Sequence, residues 1–252
     1  APIALATGAQ VVGMLPEDTM FQDATFQPQW HMQHDEVIVG DNFNLRAIHT
    51  PGHVSNHLCF LLEEEGVLLA GDHIMNGSTV VIVPPSGDMK AYIESLQLLS
   101  TYPLEKIGPA QGELMDFPLE TINWLIEHRL GREEKVIEKL STRAGIALLD
   151  LVPVVYDDVD PSLHSFAQLS LLAHLIKLEQ EDVTASRAPL LIKSVTESFL
   201  LFREARRSCS RRPLGCSISL FNVQDPPLPW QRGVGVGGFG NGVEVITMGV
   251  VA

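Results

Sequence analysis

The chain has 252 residues, of which 45% are apolar, enough for one large domain or two modest ones with a buried core. Its net charge of −14 argues against non-specific binding to a phosphate backbone. The sequence has no apolar run of about eighteen residues, so we expect no transmembrane helix. Residues 1–5 contain no methionine and no basic segment, which predicts neither a signal peptide nor the natural start of a protein.

The charge differs between the two parts of the chain, and the cysteines bear on the cellular compartment. Residues 1–186 hold 9 basic and 27 acidic side chains, a balance of −18, whereas residues 187–252 hold 8 basic and 4 acidic ones, a balance of +4. Three cysteines are too few, and odd in number, for a disulfide framework, which predicts a reducing, cytoplasmic setting. We expect Cys59, inside an apolar run, to be a buried hydrophobe. The others are Cys209 and Cys216.

The first part of the chain predicts mainly strands. Residues 1–15 favour a short helix or loop followed by a strand at 9–14. Two further apolar segments, 36–41 and 44–49, predict strands, and the second has alternating apolar positions. The second of these leads directly into a histidine-bearing loop.

Two apolar runs joined by a polar turn predict a hairpin. Residues 58–62 and 67–70 are of strand length, and the turn between them is acidic and contains a glycine. His53 precedes this hairpin and Asp72 follows it. Because a hairpin returns its two ends to one sheet edge, an imidazole and a carboxylate can meet there, and both are ligands of first-row metals.

An alternative for the first loop is structural. Pro51-Gly52 is an ordinary turn dipeptide that His53 could simply line. However, Thr50-Pro51-Gly52-His53 followed by strand, turn, strand and Gly71-Asp72 resembles the third and fourth motifs of the metallo-β-lactamase superfamily. The resemblance implies that His53 is a metal ligand and that Asp72 is the carboxylate bridging two metals.

The sequence departs from that family at two places. The family's main ligand motif, His-x-His-x-Asp-His, is absent. His31, His34 and Asp35 have different spacing and end too close to His53, so we interpret them as a polar turn that enters a strand. Where the family carries a histidine for the second metal, this chain has Gln111, and an amide is a weak ligand for zinc.

The segment after Asp72 has a small polar half that suits a loop close to a substrate. Its candidate substrate-loop residues are Asn76, Ser78 and Thr79, although the segment could equally lead into another strand. Residues 88–99 then have helical spacing, with Asp88 as the capping residue.

The next region predicts helices at 117–130, at 132–140 and, as an amphipathic helix, at 164–179. This run resembles the winged-helix-type appendage of one branch of the superfamily, which includes the lactamase-like endoribonuclease of mitochondria and many bacterial hydrolases. The third helix has one lysine and one glutamate, which predicts no reading of DNA. We interpret His164 and His174 as surface or packing residues.

Residues 187–252 contain no motif that we can assign to a family. The glycine-rich stretch 233–242 has no helix signal after it, so a phosphate-binding loop is disfavoured. A wing strand expected after residues 182–184 is missing. We expect a foreign or altered, poorly ordered tail.

These observations predict an α/β fold, a partial αβ/βα sandwich at 1–118, a helical winged-helix-like domain at 119–186 and the tail at 187–252. The resemblance implies a zinc hydrolase of two metals, acting on an ester, thioester or phosphodiester of a small molecule or RNA. With only His53 and Asp72 as ligands, we expect a truncated chain of weak or no activity, which self-associates and does not bind membranes. The alternative is a non-catalytic scaffold or binding module that has lost its metals.

Overall fold

The structure is a computed structural model, and it describes residues 2–15, 26–143 and 145–181. The predictions for the tail at 187–252, for the missing wing strand and for Cys209 and Cys216 lie outside the described residues. No helix within the described ranges is both long and apolar enough to cross a membrane.

Most of the strands come first in the described chain, and the longer helices follow them. Its elements, in chain order, are α1 (Pro2–Thr7), β1 (Val12–Gly13), β2 (Trp30–His31), β3 (Val37–Val39), β4 (Asn44–His49), β5 (Leu58–Leu62), β6 (Val67–Gly71), α2 (Met89–Leu99), β7 (Lys106–Pro109), α3 (Pro118–Thr142), α4 (Leu148–Val155) and α5 (His164–Gln180).

The main sheet has the strand order β3-β4-β5-β6-β7. Neighbours from β3 to β6 are antiparallel, whereas β7 is parallel to β6 and is reached through α2. A second, two-stranded sheet pairs β1 with β2 in parallel. The predicted hairpin at 58–62 and 67–70 is therefore confirmed as β5 and β6, with β6 one residue longer.

The strand β5 is buried on both faces. Leu58 and Phe60 pack in a cluster with Val12 and Met32, while Cys59 on the opposite face has no exposed surface. A strand covered on both faces has a continuous apolar sequence rather than an alternating one. This explains why residues 58–62 have no polar positions.

The helix α2 begins where the sequence predicts. Asp88 is its N-cap, and its Oδ1 accepts a hydrogen bond of 2.9 Å from the backbone N–H of Ala91. The capping carboxylate satisfies one of the free N–H groups of the first turn. Residues 74–88, which lead to this cap, form a loop and not the additional strand that the sequence left open.

The chain divides into two compact units. The first contains the described residues up to Val80 together with Ser86–Ile126, and the second contains Val81–Pro85 and the described residues from Glu127 onward. In the second unit the backbone N–H of Ile82 donates to Ser170 Oγ of α5 over 3.3 Å. The loop that follows Asp72 thus contributes a short segment to the helical unit.

The helical region corrects two expectations. The predicted helices at 117–130 and 132–140 form one continuous helix, α3, because Gly131 between them adopts helical geometry at a cost of about 0.5–1 kcal/mol relative to alanine. In addition, α5 has no single buried stripe: residues 170–175 are buried without interruption. An amphipathic pattern underestimated this burial because polar residues of α5 are buried too.

Those buried polar residues meet partners on α3. Lys177 Nζ donates to Glu133 Oε1 over 2.7 Å, and His174 Nδ1 lies 3.3 Å from Glu133 Oε2. Glu133 is 7% exposed and His174 is fully buried. Burial without a counter-charge would be costly, so this three-residue group pins α5 to α3 in one register. His174 is therefore a packing residue, one of the two roles that the sequence allowed.

A second ion pair involves Arg132, the residue before Glu133 in α3. Arg132 is 8% exposed and donates from Nη1 and Nη2 to the two carboxylate oxygens of Asp158, over 2.6 and 2.8 Å. Its Nη1 also donates to the carbonyl of Val155, and its guanidinium lies 4.4 Å from the ring centroid of Tyr156. The hydrogen bond from Arg132 lowers the pKa of Asp158 to about 2.

We predict that Asp158→Asn lowers the free energy of unfolding by about 1–2 kcal/mol, since it removes the charge partner of a buried guanidinium, although water screens the half-exposed carboxylate. The folded-state pKa is depressed, so the contribution is present above the unfolded value near 3.8 and disappears as the pH falls towards about 2. Urea unfolding followed by circular dichroism at several pH values measures it.

The matched control is Asp157→Asn. Asp157 is paired with Lys135 and is more exposed, so its removal should change stability less than removal of Asp158. Equal losses for the two variants, or a loss for Asp158→Asn that is independent of pH down to about pH 2, would contradict the assignment.

Candidate metal centre

One edge of the main sheet collects the candidate ligands. The strands β4 and β6 both end at this edge, because each is antiparallel to β5 between them, and β7 ends there as well. The register pairs Phe60 with Leu69, so the start of β5 lies across from Asp72. His53, Asp72 and Gln111 therefore follow three strands that end at one edge, as the hairpin predicted for the first two.

The loop after β4 is held by α2. At Gly52, with φ of 144°, an added Cβ would lie 2.4 Å from the Cα of Tyr92, so only glycine allows this approach. The backbone N–H of Asp88 donates to the Gly52 carbonyl over 2.8 Å, and Ser95 Oγ donates to the Pro51 carbonyl over 2.7 Å. The turn dipeptide thus has a specific function, which is to seat the loop against a helix.

Asp72 has the properties of a cation ligand. It is 8% exposed, and its Oδ1 is buried with no hydrogen-bond partner in the described structure. A buried carboxylate oxygen without a partner is costly unless a cation or a proton satisfies it. His53 is half-buried, follows β4, which is separated from β6 by β5, and offers a nitrogen ligand that suits zinc.

The ligand set of these residues is incomplete. Within residues 2–15, 26–143 and 145–181 no three or more His, Cys, Asp or Glu side chains are placed to hold one metal ion. His53 and Asp72 therefore fit a metal in chemistry and in position along the sheet edge, but supply only part of its coordination. Tight zinc sites use three or four protein ligands.

Two histidines beside the candidate ligands are buried, and the sequence analysis assigned them no role. His57 lies four residues after His53, and His73 follows Asp72 directly. Burial lowers the pKa of His57 to about 3 and the pKa of His73 well below its usual value, and the charge of His53 acts in the same direction. Both are neutral at physiological pH. Their positions next to the two ligand motifs were the signal available in the sequence.

Cys59 lies beneath the same edge. Thr50 Oγ1 is 2.9 Å from His57 Nδ1 and 3.3 Å from Cys59 Sγ, and the thiol donates to the carbonyl of Ala70. Burial raises the pKa of Cys59 to about 12, so the side chain remains an unreactive thiol. The prediction of a buried hydrophobe is confirmed for its burial, and the hydrogen bonds are additional.

The predicted substrate loop contacts the turn that bears Gln111. Asn76 Nδ2 donates to the carbonyl of Glu113 over 3.0 Å, and Gly112, with φ of 101°, approaches the Asn76 side chain closely. Gln111 itself is exposed. Ser78 and Thr79 are half-buried on the same loop. Whether these residues contact a substrate stays a prediction.

Of the cluster of His31, His34 and Asp35, the last two form a turn before β3, as predicted, whereas His31 ends β2. Asp35 has a positive φ of 63°, and all three side chains are exposed. Tyr102 Oη donates to Asp35 over 2.9 Å, and His34 Nδ1 accepts from the backbone N–H of His49. These contacts fix the entry to β3.

The fold is that of an α/β protein whose candidate ligands, His53 and Asp72, follow two strands that end at one edge of the sheet. Residues 10–111 match the model of the metallo-beta-lactamase superfamily, and residues 148–188 match the beta-lactamase associated winged helix domain. The chain thus has one segment that matches the superfamily model and a later segment that matches the associated winged-helix domain, which confirms the resemblance inferred from the sequence.

Two curated relatives have names that describe them as lactamase-like. The chain is 28% identical over 174 residues to a beta-lactamase-like protein 2 homolog of Drosophila melanogaster, covering 68% of this chain and 56% of that protein. It is 28% identical over 178 residues to the lactamase-like protein nscB of Trichophyton verrucosum, covering 65% and 61%. The chain therefore spans little more than half the length of these curated relatives.

Solved structures agree on the fold. A metallo-beta-lactamase family protein of Thermus thermophilus superposes with a TM-score of 0.54 at 25% identity, covering 62% of this chain and 50% of that one. A beta-lactamase domain protein of Burkholderia ambifaria superposes with a TM-score of 0.56 at 21% identity, covering 62% and 49%. The predicted α/β fold, with a winged-helix domain after it, is confirmed.

Two glycine substitutions test the close contact between the His53 loop and α2, and they should change the free energy of unfolding in opposite directions. We predict that Gly52→Ala lowers the free energy of unfolding by at least about 1–3 kcal/mol, because the new Cβ meets backbone and the positive φ is strained. Gly131→Ala, at an exposed helix position with open space around it, should raise it by about 0.5–1 kcal/mol. Chemical denaturation measures both, and a neutral Gly52→Ala would contradict the close approach.

Proposed function

We propose that this protein is a metal-dependent hydrolase with zinc as its metal and with His53 and Asp72 as ligands. The observation that carries the proposal is the buried, unpartnered Oδ1 of Asp72, at the same sheet edge as the His53 loop and within the matched superfamily segment. When bound, zinc lowers the pKa of a water molecule and polarises the bond to be cleaved. The residues of this chain would hold and orient that ion.

The chain by itself is proposed to bind zinc weakly and to have low activity. Its described residues provide two of the ligands, and Gln111 takes the place of a third after β7. An amide oxygen is neutral and binds zinc poorly compared with imidazole. A complete site requires ligands beyond these.

The substrate is proposed as an ester, thioester or phosphodiester, in a small molecule or in RNA. The fold alone does not choose among these bonds. The acidic body and the near-neutral third helix of the appendage disfavour DNA. Self-association and a cytoplasmic, reducing setting also remain proposals, drawn from the apolar strands and the cysteine content.

The alternative function is a scaffold or binding module without a metal. It is favoured by one observation, that the described residues assemble no group of three metal-ligating side chains. The two functions differ in what His53 and Asp72 do, since a scaffold has no need of either side chain for binding zinc.

We predict weak but specific zinc binding that depends on both ligands. His53→Ala and Asp72→Ala should each weaken zinc affinity by at least about tenfold, because each removes a direct ligand. Loss of a residue that only supports a ligand already costs about 10–100-fold. Competition with a chromophoric chelator measures the affinity. His31→Ala, which removes an exposed histidine of the same unit, is the matched control and should change nothing.

The outcome separates the two functions. Equal zinc binding by all four proteins would place the ion elsewhere and favour the scaffold. Two equivalents of zinc held tightly through dialysis by the unaltered chain would show that further ligands exist and would overturn the incomplete set.

A second prediction concerns Gln111. Gln111→His introduces an imidazole at the edge where β7 ends, so we expect tighter zinc binding and a higher stoichiometry in elemental analysis. Gln111→Asn, which keeps an amide, is the control. If Gln111→His binds zinc no better than Gln111→Asn, then Gln111 does not stand at a ligand position.

A further inference from the structure

The loop that carries His53 is closed by two bonds between the same pair of residues. The backbone N–H of Thr50 donates to the carbonyl of His57 over 2.9 Å, and Thr50 Oγ1 lies 2.9 Å from His57 Nδ1. Thr50 is fully buried and His57 is 4% exposed. The ends of the loop are therefore fixed from below, in a place that water does not reach.

A ring stack continues from this pair to the second candidate ligand. The rings of His57 and His73 have centroids 5.2 Å apart, and the rings of His73 and Tyr92 have centroids 4.8 Å apart. Tyr92 Oη donates to the carbonyl of His73 over 3.1 Å. Because His73 follows Asp72 directly, the stack connects the His53 loop, the Asp72 backbone and α2.

Packing alone does not account for the histidines of this stack. His57 Nε2 and both ring nitrogens of His73 are buried without a hydrogen-bond partner in the described structure. Each such group has lost its hydrogen bonds to water without gaining one in the protein, which is unfavourable. Apolar side chains of similar size would fill the same space without that cost. Stability alone therefore does not explain why these two positions are histidines.

We propose that the Thr50–His57 pair and the His57–His73–Tyr92 stack form a positioning layer that sets the orientation of His53 and Asp72 towards a bound cation. These residues act through the two ligands and are positioning residues, not catalytic ones. The inference rests on the proposed function for the identity of the ligands, but the order that the layer imposes on the His53 loop is a property of the protein without metal.

The test compares Thr50→Val, Thr50→Ser and Thr121→Val in the full chain. Valine keeps the volume and removes the hydroxyl, whereas serine keeps the hydroxyl. Thr121 is the matched control, a threonine of 2% exposure whose hydroxyl donates to the carbonyl of Phe117 just before α3. Amide hydrogen exchange of residues 52–56 by NMR, without metal, reports the order of the loop.

We expect Thr50→Val to speed exchange in residues 52–56 by about tenfold, which corresponds to the loss of one buried hydrogen bond. Thr50→Ser should exchange like the unaltered protein, and Thr121→Val should lower the thermal midpoint without affecting the loop. If Thr50→Val lowers the thermal midpoint but leaves loop exchange unchanged, Thr50 is only a stabilising residue and the proposal is wrong.

Zinc titration of the same proteins separates this inference from the proposed function. Thr50→Val should weaken zinc affinity by about tenfold and Thr50→Ser should not. Faster loop exchange in Thr50→Val, with no zinc bound by any of the proteins, would sustain the ordering of the loop and overturn the metal function. Faster loop exchange with unchanged zinc affinity would show that the layer does not position the ligands.

A measurement on the unaltered protein covers the case in which Thr50→Val does not fold. The nitrogen chemical shifts of His57 should show one ring tautomer, with Nδ1 in a hydrogen bond that is protected from solvent. Two interconverting tautomers of His57 would mean that the pair with Thr50 is not formed, and would overturn the positioning layer.

Discussion

The candidate site depends on one close contact, the passage of the Gly52 backbone against Tyr92 of α2. The same helix begins at Asp88, whose side chain caps α2 and whose N–H donates to the Gly52 carbonyl. One residue therefore fixes both the start of the helix and the seat of the loop. A shift in the start of α2 would carry the His53 loop with it.

Beneath this contact the protein uses polar side chains where apolar ones would be more stable. Thr50, His57 and His73 are almost fully buried, and three of the ring nitrogens of the two histidines have no hydrogen-bond partner in the described structure. In the helical unit, by contrast, the buried charges have partners, since Lys177 and Arg132 each donate a hydrogen bond to a carboxylate. The carboxylate at the sheet edge keeps one oxygen unsatisfied, which a bound cation would relieve.

Buried charged and polar side chains fix the packing of α5 on α3. Glu133 of α3 faces both His174 and Lys177 of α5, which lie three residues apart on one side of that helix. Apolar residues of α5, among them Leu171 and Leu175, lie in one hydrophobic cluster with Leu151 and Val152 of α4. The helix α5 is therefore held by charged contacts to α3 and by apolar contacts to α4.

The sequence by itself determined the hairpin, the cap of α2 and the two ligand motifs, because each depends on local spacing: a strand–turn–strand length, an Asp before a helical pattern, and short motifs. Only the tertiary structure decided what surrounds them. The two predicted helices become the single helix α3 (Pro118–Thr142) because packing outweighs the propensity of Gly131. The single buried stripe predicted for α5 is absent because Ser170 and His174 are buried by distant partners. Likewise, the sequence showed only that His57 and His73 lie next to the two motifs, because their ring contacts join segments that meet only when β5, β6 and α2 are assembled.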